Sequence, residues 1–144
     1  ASGRIKVLKV YGGDWDTPDG TPIRDYIHIM DLARGHVAAL DYLLEKESEY
    51  IALNLGTGVG YSVLQVIEAY KSTSNIDLPY EIVERRKGDV PITLADPTKA
   101  IKILKWKATG TLEDMCRDGW VWQHLNPEGY NSVLRFADKN PNTK

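Results

Sequence analysis

Short apolar stretches bounded by turn residues predict four β-strands along the chain. The candidate strands are residues 5–11, 26–29, 51–55 and 80–83. The first is followed at 12–22 by a predicted loop, in which Pro18, Asp19 and Gly20 supply strong turn chemistry. Because the strands are short and few, the sheet that they predict is small.

Helical spacing of apolar residues predicts four helices, which alternate with the strands. The first predicted helix follows the N-cap Asp31 and ends at about Lys46. The other three are predicted from about Val63 to Ser72, from Pro97 through Leu104, and from Thr111 to Asn126. The second has the clearest start, since Ser62 and Gln65 match a capping box. In the third, Asp96 is the expected N-cap before Pro97. Alternation of strands and helices predicts an α/β fold.

Composition narrows the class of protein. The chain has 144 residues, 42% apolar and 26% charged, which is typical of one globular domain. A net charge of -2 and the lack of a long apolar run argue against nucleic-acid and membrane partners. A single Cys excludes an internal disulfide and favours a reducing compartment such as the cytoplasm. The abrupt start at Ala1, without an initiator Met or signal peptide, indicates a piece of a longer protein.

A glycine-rich loop invites a nucleotide-binding hypothesis. Residues 56–60, Gly-Thr-Gly-Val-Gly, lie between a predicted strand and a predicted helix, the usual context of a phosphate-binding loop. The dinucleotide fingerprint, however, needs a third glycine at position 61, where this chain has Tyr61. Asp77, at the distance of a ribose-binding acid, follows a turn-like Ser-Asn pair. We therefore interpret the glycines as a structural turn.

Two other pairs have a functional interpretation and a simpler one. Tyr42 and Lys46 have the spacing of the Tyr-x-x-x-Lys pair of short-chain dehydrogenases, but no partner Ser or Thr is evident. His28 and His36 lack a convergent third metal ligand. We expect that the Tyr42–Lys46 spacing arises by chance on a surface helix. For His28 we expect a packed or hydrogen-bonded role.

Cysteine and tryptophan residues fit packing better than chemistry. Cys116 falls on the apolar face of the last predicted helix, so a core role is expected. Trp106, Trp120 and Trp122 are expected to pack, since a stacking platform for nucleic acid would need a basic groove beside it. No metal site is expected from three His and one Cys.

Two arginine-bearing segments offer a candidate anion site. Arg24 precedes a short strand, and Arg85 and Arg86 follow another. Guanidinium groups bind phosphate oxygens in a planar, bidentate geometry, so two of them would suit a diphosphate. Asp89 could then accept hydrogen bonds from a ribose diol, and Tyr11 offers a flat face for a base. An ordinary solvated arginine surface is the alternative.

The chain resembles UDP-glucose 4-epimerases, members of the extended short-chain dehydrogenase/reductase family. The most specific block is Asp-Gly-Thr-Pro-Ile-Arg-Asp-Tyr-Ile-His at 19–28. Further matching blocks are residues 31–36, 54–58, 61–63, 85–89, 95–97 with 99–100, 111–115 and 126–130. The resemblance therefore extends from about Gly3 to Tyr130, with the Gly-Thr-Gly segment shared by many relatives of the wider family.

The resemblance implies a two-part enzyme. It implies that residues 1–130 are the carboxy-terminal UDP-sugar-binding region, followed by a polar tail at 131–144, and that a Rossmann domain precedes them. That domain would hold NAD and the catalytic Tyr and Lys; NAD would take a hydride from C4 of the sugar and return it to the other face. A homodimer is implied for the full-length protein, and no catalytic or NAD-binding residue is implied in this chain.

The resemblance also assigns roles within the chain. Arg24 and Arg86 would bind the diphosphate, Asp89 the ribose, and Tyr11 would pack against uracil. Arg85 would be a structural neighbour and not a ligand.

A departure from part of the family concerns the sugar. Some members carry a bulky Tyr where this chain has Thr93, and a smaller residue there implies room for an N-acetyl group.

Two alternatives stay open: another sugar-nucleotide short-chain enzyme, such as a dehydratase or uronate epimerase, or a non-catalytic nucleotide-binding module. On its own, the chain is expected to lack catalysis, bind UDP-sugars weakly and associate through exposed apolar surface.

Overall fold

A computed structural model of the chain describes residues 1–46, 48 and 50–129, so the predicted polar tail at 131–144 lies outside the described residues. The elements in chain order are β1 (Leu8–Tyr11), β2 (Ile23–Asp25), α1 (Ile29–Leu44), β3 (Gly60–Ser62), α2 (Val63–Ser74), β4 (Tyr80–Val83), β5 (Ile92–Thr93), α3 (Thr98–Leu104) and α4 (Leu112–Leu125). Strands and helices are interspersed along the chain, although strict alternation is broken at β1–β2, β4–β5 and α3–α4, and the α/β class is confirmed.

The strands form two small sheets. β1 and β4 are a parallel pair in which Tyr11 lies opposite Val83, so both strands end at the same edge. In the second sheet, β2 lies between antiparallel β3 and parallel β5, and Arg24 is in register with Thr93. The predicted small mixed sheet is therefore present as a two-stranded and a three-stranded unit.

Helix α2 is packed on two sides and organises the core. Its buried residues Ile67 and Ala69 are two positions apart, which places them on opposite sides of a helix. One side contacts β1 and the segment before β4, and the other contacts α4. The two buried clusters are Val10, Ile67 and Leu78, and Ala69, Leu112 and Cys116. Tyr70 packs against both clusters and joins them.

Capping boxes fix the starts of α2 and α4. Ser62 Oγ accepts from the Gln65 amide at 3.1 Å while the Gln65 side chain accepts from the Ser62 amide at 2.8 Å, as predicted. Thr111 and Asp114 form the same reciprocal pair at 3.0 and 3.1 Å. Hydrogen bonds from Thr111 lower the pKa of Asp114 to about 2. The sequence predicted a helix start at Thr111 but not this capping box.

The start of α1 corrects two predictions. The N-cap is His28, whose Nδ1 accepts from the Met30 amide at 3.1 Å, and not Asp31. Asp31 instead lies inside the first turn, fully buried, where it binds a distant loop. The predicted strand at 26–29 is wrong because the strand is β2, at Ile23–Asp25, and Ile29 already belongs to the helix.

Three further boundaries differ from prediction. Residues 51–55 are not a strand, since a strand needs a hydrogen-bonded neighbour and the described residues provide none beside them. β1 begins at Leu8, so residues 5–7 are not part of it. The N-cap of α3 is Pro97, although the Asp96 carboxylate still accepts from the Thr98 amide at 3.0 Å.

Helix α1 keeps an apolar face exposed. The large apolar side chains concerned are Ile29, Met30, Val37, Leu40, Leu43 and Leu44. Helix α1 has 16 residues, and none of the helices in the described ranges is both long and apolar enough to cross a membrane.

Candidate functional site

Tyr11 and Arg86 meet at the edge where β1 and β4 both end. Tyr11 is the last residue of β1, and Arg86 lies three residues beyond Val83, the last residue of β4. The carboxyl ends of parallel strands are a common place for ligand binding in α/β proteins. Here the Arg86 guanidinium carbon lies 4.6 Å from the centroid of the Tyr11 ring, a cation–π contact.

A tight turn brings Asp89 back onto Arg86. The Asp89 amide donates to the Arg86 carbonyl at 3.2 Å, and Gly88 between them has φ +92°, a conformation that favours glycine. The Arg86 Nε donates to Asp89 Oδ2 at 3.0 Å. The Arg86 side chain is 62% exposed and that of Asp89 22% exposed. Tyr11, Arg86 and Asp89 therefore form one accessible cluster.

Arg24 reaches the same loop from the second sheet. Its Nη1 donates to the Ile23 carbonyl at 2.8 Å and approaches the Pro91 carbonyl at 3.4 Å. Pro91 is two residues beyond Asp89 and leads into β5, where exposed Thr93 lies opposite Arg24. The segment 85–93 thus contains or meets all five predicted site residues. Arg86 lies near its start beside Tyr11, Asp89 lies in its middle, and Thr93 ends it opposite Arg24.

Tyr26 lies near this charge and was not predicted as a site residue. Burial raises the pKa of Tyr26, and the positive charge of Arg24 offsets part of that rise. Its position two residues after Arg24, in the most specific sequence block, was the available signal.

Arg85 points to different partners from its neighbour. Its Nε donates to Asp14 Oδ1 at 2.7 Å and its Nη2 to the Asp14 carbonyl at 2.5 Å. Its guanidinium carbon lies 3.9 Å from the ring centroid of Trp15. Sequence reasoning missed Asp14 and Trp15; an acidic and an aromatic residue in a loop after a strand were the available signal.

The glycine-rich loop already holds an anion, the carboxylate of Asp25. Asp25 accepts from the amides of Thr57 at 3.0 Å and Gly58 at 2.8 Å, from the Thr57 hydroxyl at 2.6 Å and from the Ala95 amide at 3.3 Å. Burial acts to raise the pKa of Asp25, but these hydrogen bonds lower it below its ordinary value overall. The loop is a structural turn, and its amides at Thr57 and Gly58 are occupied by the protein itself.

The two other pairs also have structural partners. The Lys46 ammonium lies 4.9 Å from the ring centroid of Tyr42, which is a surface cation–π contact. His28 Nε2 lies 3.2 Å from Asp118 Oδ2, and since its Nδ1 accepts from a backbone amide, Nε2 is the donor. His36 Nδ1 lies 2.8 Å from the Leu32 carbonyl. Within the described ranges, no three His, Cys, Asp or Glu side chains converge as a metal site.

Cys116 and Trp106 pack as predicted, but Trp122 does not. Cys116 is buried in the cluster beneath α4, and burial raises the pKa of its thiol. Trp106 is buried and its indole donates to the Asp31 carbonyl at 3.1 Å. Trp120 is partly buried, with its ring centroid 5.8 Å from that of His124. Trp122 is half exposed.

The cluster and Arg24 carry groups of the kinds that can bind a nucleoside diphosphate. Guanidinium groups, as in Arg24 and Arg86, can donate to phosphate oxygens, and Arg86 uses only its Nε toward Asp89. Asp89 supplies an acceptor for hydroxyl groups, and Tyr11 supplies an aromatic ring at the same edge.

Comparison with known proteins gives the family. The family model described as GDP-mannose 4,6 dehydratase matches residues 1–119, and the chain belongs to that family. The resemblance to UDP-glucose 4-epimerases is confirmed: such an enzyme from Dictyostelium discoideum is 54% identical over 131 residues, covering 91% of this chain and 38% of that protein. The chain thus spans about 38% of the length of the curated relatives that it matches.

Solved structures agree with these sequence matches. UDP-glucose 4-epimerase from Bifidobacterium longum, in complex with NAD+ and UDP, superposes with a TM-score of 0.83 at 50% identity, covering 88% of this chain and 37% of that one. The UDP-Glc/GlcNAc 4-epimerase from Campylobacter jejuni superposes with a TM-score of 0.76 at 40% identity, over 85% of this chain and 37% of that one.

Proposed function

We propose that this chain is the UDP-sugar-binding part of a UDP-glucose 4-epimerase, which interconverts UDP-glucose and UDP-galactose. The observation that carries the proposal is the convergence of Tyr11, Arg86 and Asp89 at one strand edge, with Arg24 joined to it through Pro91. The likeness to an epimerase that was solved with UDP supports it further.

Each side chain then has a distinct task. The guanidinium groups of Arg24 and Arg86 bind the diphosphate and neutralise its charge. Asp89 accepts hydrogen bonds from the ribose hydroxyls once Arg86 turns toward phosphate, and Tyr11 packs against uracil. These contacts hold the nucleotide at one end and leave the sugar to be presented to catalytic groups elsewhere in the protein.

NAD does not fit the residues described. The loop at 56–60 lacks the third glycine of a dinucleotide fingerprint, and its Thr57 and Gly58 amides are engaged by Asp25. We therefore assign NAD, the hydride transfer and the catalytic Tyr and Lys to a Rossmann domain of the same protein that precedes this chain. Residues 1–130 form the nucleotide-sugar region in this proposal, and the complete enzyme is a cytoplasmic homodimer.

Calorimetric titration of the complete protein with UDP tests the proposal. Arg24→Ala and Arg86→Ala should each weaken binding about 10- to 100-fold, because a hydrogen bond to a charged group contributes about 1.5–3 kcal/mol. Lys102→Ala, which removes an exposed cation from α3, is the matched control and should change the affinity less than about twofold. Equal affinity for ATP and UDP in the unmodified protein would instead favour a general nucleotide-binding module.

We further propose that Thr93 permits N-acetylated sugars. Thr93 is exposed opposite Arg24, close to where the diphosphate would lie, and a relative from Campylobacter jejuni is named for both UDP-Glc and UDP-GlcNAc. In the complete protein, Thr93→Tyr should lower turnover of UDP-N-acetylglucosamine at least about tenfold, while turnover of UDP-glucose changes less than about threefold. Unmodified protein that turns over UDP-glucose but never the N-acetylated sugar would refute this assignment.

A further inference from the structure

Consecutive arginines stack on two different aromatic rings at the strand edge. Arg86 lies on Tyr11, and Arg85 lies on Trp15 with 3.9 Å between its guanidinium carbon and the ring centroid. Arg85 also holds both the carboxylate and the carbonyl of Asp14, at 2.7 and 2.5 Å. Its contacts therefore all come from the loop after β1.

The Arg85–Trp15 stack rests directly on the backbone next to Tyr11. The Trp15 indole donates to the Tyr11 carbonyl at 3.3 Å. A Cβ on Gly12 would lie 2.2 Å from Trp15 Nε1 and 2.9 Å from Arg85 Cγ, so only glycine allows this approach. Arg85 therefore connects the segment that contains Arg86 to Tyr11, through Trp15.

We propose that Arg85 is a positioning residue for the nucleotide: it fixes the loop 85–89 so that Arg86 and Asp89 face Tyr11, without touching the ligand itself. This inference rests on the proposed function. The planar guanidinium can stack on an indole and form two hydrogen bonds at once, whereas a lysine ammonium cannot reproduce both contacts. Geometry, and not charge, is the property that Arg85 supplies.

The affinity of the complete protein for UDP, measured by calorimetry, separates geometry from charge. Arg85→Ala and Arg85→Lys should both weaken UDP binding about tenfold. Neither variant keeps both the two hydrogen bonds to Asp14 and the stacking on Trp15. Lys87→Ala, in the same exposed loop, should change the affinity less than about twofold and is the matched control. If Arg85→Lys binds UDP as the unmodified protein does, charge alone suffices and the positioning role is wrong.

A double-mutant cycle tests whether Arg85 acts through Arg86. Arg85→Ala added to Arg86→Ala should cause a clearly smaller loss of UDP affinity than the tenfold loss that Arg85→Ala causes alone, since only Asp89 is then left to position. A full additional tenfold loss would show an independent contribution and overturn the proposal. Trp15→Phe, which keeps a stacking ring, should bind UDP within about threefold of the unmodified protein.

Hydrogen exchange gives a readout that does not depend on UDP. Arg85→Ala should accelerate exchange in a peptide spanning 84–91 and leave the α2 peptide 63–74 unchanged; equal protection in both proteins would overturn the positioning role. If the unmodified protein does not bind UDP at all, the proposed function fails and this inference fails with it. UDP binding that is intact in Arg85→Ala refutes the positioning role alone.

Discussion

Arg86 lies on the ring of Tyr11, with 4.6 Å between its guanidinium carbon and the ring centroid, while its Nε binds Asp89. In this arrangement the Arg86 guanidinium contacts both the Tyr11 ring, which we assign to uracil, and the Asp89 carboxylate, which we assign to ribose. A nucleoside diphosphate offers replacements for both contacts: phosphate oxygens for the arginine, and a base for the ring. Ligand binding would therefore exchange the contacts that Arg86 makes with Tyr11 and Asp89 for contacts with the nucleotide.

The first prediction concerns Tyr11. Tyr11→Leu should weaken UDP binding about tenfold or more, since stacking of a base on an aromatic ring contributes about 1–3 kcal/mol. Tyr11→Phe keeps the ring and should bind UDP within about twofold of the unmodified protein. Titration with inorganic pyrophosphate, which has no base, is the control ligand, and its affinity should fall less than about threefold in Tyr11→Leu. Equal losses for UDP and pyrophosphate would contradict the stacking role.

Asp31 should determine acid stability. It is fully buried and accepts from the Gly110 amide at 2.7 Å, the Thr109 amide at 3.0 Å and Arg34 at 2.6 Å. Asp31→Asn should lower the free energy of unfolding by about 2–4 kcal/mol at neutral pH, because an amide group then faces donors. Asp16→Asn, at an exposed position, is the control in thermal denaturation.

The pH dependence of that difference has a definite sign. Burial acts to raise the pKa of Asp31, but hydrogen bonds from Gly110, Arg34 and Thr109 lower it below its ordinary 3.8 overall. The stabilisation is therefore complete above pH 3.8 and is lost as the pH falls below it. The difference in unfolding free energy between the unmodified protein and Asp31→Asn should shrink in that acid range; a constant difference would exclude the carboxylate as its source.

Cys116 should be chemically silent in the folded chain. It is 3% exposed, and burial raises the pKa of its thiol, so both access and thiolate are limited. Labelling of the 144-residue chain with a disulfide reagent should be at least about 100-fold slower in native buffer than in denaturing guanidinium chloride. The chain has a single Cys, so the signal reports this thiol alone. Rapid labelling under native conditions would show that α4 opens readily from α2.

The exposed face of α1 should cause self-association of the isolated chain. Leu40 is 57% exposed and Leu44 76% exposed on the same side of the helix. Light scattering of the purified 144-residue chain should show species larger than a monomer at micromolar concentration. Leu40→Glu with Leu44→Glu should reduce their fraction, whereas Lys102→Glu, which changes the net charge by the same amount at an exposed position on α3, should not. If the unmodified chain is monomeric, this surface does not mediate self-association.

Local chemistry made several features predictable. The capping box at Ser62 and the helix start at Thr111 follow from interactions within four residues, so the sequence alone specifies them. The strand Tyr80–Val83 was likewise evident from its apolar run. The candidate site was harder, since its arginines became specific only through the resemblance to a family.

Long-range contacts decided the rest. Asp31 looked like a helix cap, but the amides of Thr109 and Gly110 take its carboxylate, and only folding brings them together. Residues 51–55 have strand composition, yet a strand also requires a neighbouring strand to bond with. The sequence by itself determined the α/β class and supplied candidates for an anion site. Tertiary structure decided that Asp25 fills the glycine-rich loop and that Arg86 faces Tyr11, because those pairings depend on how separate segments dock.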